Sequence, residues 1–182
     1  MKAKHSLAKK QKGFTLLEIM LALVVASLLI YAVFVIFRPA QEGANTQSAQ
    51  NNLFGLHAGA KRICPRPGNC LTLDAAQVIQ SGQAPSDMVN GSGASATLVS
   101  PWGEAVTVAI GSVGAGTNNA YIYTFNGVPR SECNTFVSSV QNNFAEVTVG
   151  TTTVKDASTP YSTAAAVTAC DNDTNNLVFA GT

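Results

Sequence analysis

Across 182 residues, 11 Lys and Arg stand against 10 Asp and Glu, a formal net charge of +1, with four Cys and two His. Five of the cations, Lys2, Lys4, Lys9, Lys10 and Lys12, lie in the first 13 residues, so the remainder carries six against ten, a net charge of −4. That sign disfavours nucleic-acid binding through a basic patch, because Lys61, Arg62 and Arg66 form only a small cluster that reads as a solvated helix end.

The first element in chain order is an apolar helix. Residues 14–37 number 24, and at about 1.5 Å per residue they are long enough to cross the ~30 Å hydrocarbon layer of a bilayer. Glu18 sits in the first turns of this run. A carboxylate there costs on the order of 2 to 3 kcal/mol on insertion scales, so it reads as functional and in need of a partner. A secretory signal would show an apolar core of about 7 to 15 residues and a small-x-small cleavage site, whereas this run is longer and ends in Phe37-Arg38-Pro39. A plain membrane anchor fits the length, and the five lysines would hold the N-terminus on the cytoplasmic side. It leaves Glu18 without a role.

Lys12-Gly13-Phe14-Thr15-Leu16-Leu17-Glu18, behind a basic leader and ahead of an uninterrupted apolar helix, resembles the processing site of type IV pilins and pseudopilins. The resemblance implies that residues 1–13 are a leader removed by a membrane-embedded prepilin peptidase. Cleavage would follow Gly13, the new amino terminus at Phe14 would be methylated, and Glu18 would be the fifth residue of the mature chain. It further implies that residues 14–37 serve as membrane anchor and then as filament core, where Glu18 meets the Phe14 amine of a neighbouring copy.

Pro39 removes the hydrogen bond to the carbonyl of Val35 and disfavours helix at Arg38, which predicts a kink or a locally extended stretch. Beyond it Ala49, Leu53, Leu56, Ala60 and Ile63 recur at spacings of four, three, four and three, the apolar stripe of an amphipathic helix. The expectation is one interrupted helix over residues 14–62 whose second half lays a face on a globular head, residues 63–182. His57 lies on that helix and is the one histidine beyond the leader. With no second imidazole for a metal or catalytic pair, it reads as a surface or core-edge residue.

The head, of about 120 residues, has the usual size of one domain. Residues 71–81 read as a short helix capped by Thr72 and stopped by Gly82. Strand patterns follow over 97–99, 105–110, where Val106, Val108 and Ile110 alternate, and 120–125, with 111–119 as a hairpin loop. Pro129 and Ser131 open a helix with Cys133, Phe136, Val140 and Phe144 on one side, and 146–149 and 177–179 offer two more strands. A long helix with a mostly antiparallel sheet makes an α+β roll.

Ser100-Pro101-Trp102-Gly103 at a strand entry, then Gly127-Val128-Pro129-Arg130-Ser131-Glu132-Cys133 at a helix start, then a late Cys170, resemble the type IVb pilins of the thin-pilus and enteric-adherence group. That group implies a single disulfide, to which Cys64 and Cys70 are extra. Four cysteines in a segment expected to leave the cytoplasm make two disulfides the natural reading, with three pairings open. Cys64 with Cys70 is favoured because Pro65-Arg66-Pro67-Gly68-Asn69 supplies turn formers, and Cys133 with Cys170 would tie the late helix to the C-terminal segment. A zinc site is the rival, without a C-x-x-C knuckle or a histidine pair. Asp171-Asn172-Asp173-Thr174-Asn175-Asn176 has oxygens at alternate positions like the start of a calcium loop. It lacks the turn glycine and the closing Glu, and reads better as a polar turn.

No nucleophile elbow, phosphate loop or paired-carboxylate signature is present, so neither an enzyme nor a cofactor is expected. The expected function is structural: a major pilin of a type IV pilus serving adherence or conjugation. Its partners would be its own copies, the prepilin peptidase, the inner-membrane assembly machinery and a receptor on a host or recipient cell. The alternatives are a minor pilin, a pseudopilin of a secretion system, or a membrane-anchored receptor or DNA-binding protein.

Overall fold

The computed structural model describes residues 15–70 and 72–182, with Arg38 and Pro39 described by backbone alone. Helix α1 runs over Leu16–Ile63. The helix continues through Pro39 without a break, so no extended stretch is formed there. Proline in a helix interior costs ~3 kcal/mol through one lost bond and one ring clash, and the apolar and amphipathic turns on either side retain their own hydrogen bonds.

Residues from Gln41 onward form a compact unit. Within it Ala49, Leu53, Leu56 and Ala60 of α1 are completely buried and Ile63 is partly so, the stripe that the spacing predicts. Each buried Leu contributes about 1.5 to 3 kcal/mol. Two glycines set how near the next segment can lie. A Cβ on Gly59 would stand 2.4 Å from the Gln83 carbonyl oxygen, and one on Gly55 would stand 2.9 Å from Pro85 Cγ. Gly59→Ala is therefore expected to cost about 1 to 3 kcal/mol through overpacking against backbone. Gly43→Ala, with nothing within 4 Å, should be neutral or stabilising by up to about 1 kcal/mol from helix propensity. Urea midpoints of the full chain in detergent check both.

The short helix after the first disulfide loop is α2, Ala75–Gln80. Its cap is Asp74 and not Thr72: the Asp74 carboxylate accepts from the Gln77 N–H at 2.7 Å, and the Gln77 side chain accepts from the Asp74 N–H at 3.1 Å. This reciprocal pair satisfies two orphan donors of the first turn, which the Thr72 position cannot do.

Seven strands form one sheet in the order β1-β2-β3-β4-β7-β5-β6, and every neighbouring pair is antiparallel. They are β1 (Val89–Asn90), β2 (Thr97–Val99), β3 (Ala105–Gly111), β4 (Ala120–Pro129), β5 (Glu146–Val149), β6 (Thr152–Lys155) and β7 (Thr174–Gly181). The α+β architecture is the expected one. The two-residue β1 and the edge strand β6 carry too few alternating positions to stand out in the sequence. β3 takes in Gly111, β4 continues to Pro129 and β7 begins at Thr174, each longer than its apolar pattern, because the ladder with a neighbour extends into polar residues.

Alternate residues Tyr121, Tyr123 and Phe125 of β4 face the core with Phe179 of β7. Helix α3, Arg130–Val140, adds Phe136, whose ring lies 5.3 Å from Phe125 and 5.2 Å from Phe179 between centroids. Such edge-on aromatic pairs add about 0.5 to 1.5 kcal/mol each beyond area burial. Phe144 joins this core from beyond the helix, which ends at Val140 and passes through a 3-10 turn. A last helix, α4 (Thr163–Ala169), is capped by Ser162, whose hydroxyl accepts from the Ala165 N–H.

The join between β4 and α3 is a bulge. The β4–β7 register shifts between Phe125 and Val128, and Gly127 takes φ 65°, a left-handed conformation suited to glycine. Its N–H donates to Asn176, and Asn126 donates to the Ala105 carbonyl. Pro129 then occupies the N-cap position with no side-chain cap, so Ser131 opens nothing.

Candidate assembly site

Of the expected processing residues, Gly13 and Phe14 lie outside the described residues. Description begins at Thr15, whose backbone and hydroxyl oxygens both accept from the Glu18 N–H, at 3.0 and 3.3 Å. Thr15-x-x-Glu18 is the capping-box spacing, a signal present in the sequence that the membrane pattern overshadows. The acid thus has a local duty at the positive pole of the helix as well.

Along α1 from Leu16 to Phe37 the large apolar side chains are exposed all round, Leu17 to 77%. A run of this length and composition could cross a membrane. Glu18, Ala22 and Ala26 follow one another at four-residue steps, and with Ile19 and Leu23 they form a shallow groove. The small Ala22 and Ala26 leave room beside the carboxylate. Among the described residues Glu18 has no ion-pair partner: the single salt bridge there is Arg130 with Asp171.

The cysteines form two disulfides, Cys64 with Cys70 and Cys133 with Cys170. The first closes a tight loop around a 3-10 turn at Pro67–Asn69 just past α1. The second joins α3 to the C-cap of α4. Both ends of the larger link are buried. The Asp171–Asp173 stretch forms a turn, and Asn175 and Asn176 are already strand residues of β7. No metal-holding group of three or more His, Cys, Asp or Glu occurs among the described residues.

His57 is half-buried at the edge of the core. Its Nδ1 lies 3.1 Å from the Tyr123 hydroxyl, and its ring meets Tyr121, Tyr123 and Phe144 edge-on at 5.5 to 5.8 Å. Burial first, and the Lys61 charge one turn away second, lower its pKa from 6.5 to about 4. The folded chain therefore binds this proton less readily than the unfolded one. The stability tied to His57 is complete above pH 6.5 and is lost as pH falls from 6.5 to about 4. At about 1.4 kcal/mol per unit the whole shift would be near 3 kcal/mol, and solvent screening of the half-exposed ring brings the expectation to about 1 to 2 kcal/mol. Urea midpoints at pH 7 and pH 4.5 should differ by more in the natural chain than in His57→Gln.

One pairing was invisible in the sequence. Glu132, in the first turn of α3, is buried and accepts a hydrogen bond from the Thr46 hydroxyl at 3.0 Å, across 86 residues of chain. With the Tyr121 hydroxyl donating to the Cys64 carbonyl just past α1, it ties the buried half of α1 to α3 at one end and to β4 at the other.

Comparison with curated protein sequences gives no match. The family profile described as "PilS N terminal" matches residues 43–182, and that of the prokaryotic N-terminal methylation motif matches residues 8–34. Among solved structures, the type IV b pilin from Salmonella typhi aligns with a TM-score of 0.59 at 26% identity, covering 73% of this chain and 97% of that one. TcpA, a type IV pilin from Vibrio cholerae El Tor biotype, aligns with a TM-score of 0.56 at 16% identity over 76% and 99% of the two chains, a likeness of fold.

Proposed function

The chain belongs to the PilS N-terminal family and is a type IV pilin with a prepilin leader, and from this we infer that it is the major subunit of a surface pilus, cut after Gly13, methylated at Phe14 and polymerised through α1. The observation that carries the reading is the contrast between two parts of one chain. The head completes its own core, while residues 16–37 keep their apolar surface uncovered and their one acid unpaired among the described residues. Such a surface is stable in a bilayer, and then in a bundle of like helices.

In this mechanism the precursor waits in the inner membrane with its lysines on the cytoplasmic side. Removal of the leader creates the Phe14 amine, which becomes the cation for Glu18 of a neighbouring copy. The pair fixes axial register, since a buried carboxylate tolerates only the offset that supplies its partner. Adherence or conjugation through a receptor on the target cell is the role proposed for the fibre.

Electron microscopy of sheared filaments with intact-mass analysis of their subunit tests the reading. The expected subunit begins at methylated Phe14, holds both disulfides and dominates the preparation. A subunit retaining residues 1–13, or one present only in trace amounts, would overturn the major-pilin assignment.

A further inference from the structure

The buried part of α1 gives the head an axis with two differently charged ends. At its C-terminal end Lys61 and Arg62 are exposed in the last turn, where the negative pole of the helix favours them. Arg66, also exposed, stands in the adjoining disulfide loop. Strand β4 runs back from this end: Tyr121 near its start reaches Cys64, and α3 beyond its finish sends Glu132 to Thr46.

Acidic residues collect at the opposite end. Glu42 lies just before Thr46 on α1, and Asp87 accepts from Ser48 at 3.5 Å. Glu104 lies against Gly127 beside the bulge. Asp171 pairs with Arg130 at 2.8 Å, and the Arg130 N–H donates to the Asp173 carbonyl. Besides the buried Glu132, five acids thus face one cation at this base, and Lys61, Arg62 and Arg66 group at the crown. From Glu42 to Lys61 the helix rises roughly 30 Å. Of the other head charges, Asp74 caps α2. Glu146, opposite Ala180 on β7, and Asp156, held by Ser158 and Thr159 in its own turn, lie toward the crown end beside Gly114 of the β3–β4 loop. With Lys155, which donates to the Gln141 and Phe144 carbonyls, that end holds four cations against these two acids and keeps its positive sign.

We propose that the Lys61, Arg62 and Arg66 crown of one copy docks on the Glu42, Asp87 and Glu104 base of the next, so that heads join end to end. A second copy is the occupant because one chain supplies both signs on opposite ends. A contact between two different patches of the same molecule also repeats along an open filament wherever its rotation does not close into a ring. The proposal rests on the pilus-subunit reading. A single exposed ion pair is weak, so the contact works as a group of charges that steers approach and fixes orientation. It is separate from the Glu18 pairing, which lies outside the head.

Beyond the leader the chain has two lysines, Lys61 and Lys155, and the second is occupied by carbonyls. Intact filaments treated with a water-soluble carbodiimide, which joins an amine to a carboxylate with loss of water, should yield covalent dimers. Peptide mapping should place the link between Lys61 and Glu42, Asp87, Glu104, Asp171 or Asp173. Raising NaCl to about 1 M, where the screening length is near 3 Å, should cut dimer yield at least about threefold. Lys61→Arg keeps the charge and should form filaments that no longer link. Filaments whose Lys61 links elsewhere, or to nothing, overturn the proposal. A chain that makes no filaments at all overturns instead the subunit reading beneath it.

Discussion

Glu18→Ala is expected to yield a processed, disulfide-bonded, membrane-held subunit that assembles few filaments. The Glu18 N–H donates to the backbone and hydroxyl oxygens of Thr15, and alanine keeps that donor. Folding should therefore be unaffected, and removing the carboxylate eases membrane residence by about 2 to 3 kcal/mol. In the bundle, however, the Phe14 amine of the neighbour is left as an uncompensated buried charge. Breaking one side of a buried pair costs roughly 3 to 5 kcal/mol, more than a hundredfold in the equilibrium for adding a subunit. Counting sheared filaments against the cell's monomer pool measures this ratio. Filaments of normal number and length would remove the pairing mechanism and favour the plain anchor.

The second large effect is expected at the α3–α4 link. Cys133→Ser or Cys170→Ser opens a loop with a sequence separation of 37, and on the chain-entropy model that loses about 4 kcal/mol. A domain of this size has roughly 5 to 15 kcal/mol in all. The six-residue separation of Cys64 and Cys70 corresponds to about 2 kcal/mol on the same model. The variants should accumulate poorly in the envelope and show a lowered urea midpoint, in the order Cys133→Ser below Cys64→Ser. Equal midpoints for the natural chain and Cys133→Ser, or free thiols at both positions in non-reducing peptide maps, would refute the ranking.

The features legible in the sequence were those written locally. The leader motif is contiguous, the 49–63 stripe follows helical period, and Val106 and Val108 alternate on β3. What escaped depended on partners far along the chain or on competition between neighbours. Asp74 outcompetes Thr72 as a cap because Gln77 answers it three residues later. β6 and α4 are short and rich in Thr and Ala; β6 is recognisable only beside β5, and α4 only where it lies against α3 and β6. Phe144 keeps the apolar phase of α3 yet lies beyond its last turn. The Thr46–Glu132 bond leaves no local trace, because neither residue type announces burial.

The position of β7 has a consequence for the order of events as the chain emerges. It follows every other strand in sequence yet lies between β4 and β5, pairing with both. Until it arrives, the β5–β6 hairpin has nothing to join, and one long side of β4 presents unpaired amides and carbonyls, an invitation to wrong partners. Such late, distant pairing slows folding. The head should thus pass through an aggregation-prone interval that ends only when residues 174–181 slot into the gap, and agents that shield exposed strand edges should raise the yield of native subunit most during that interval.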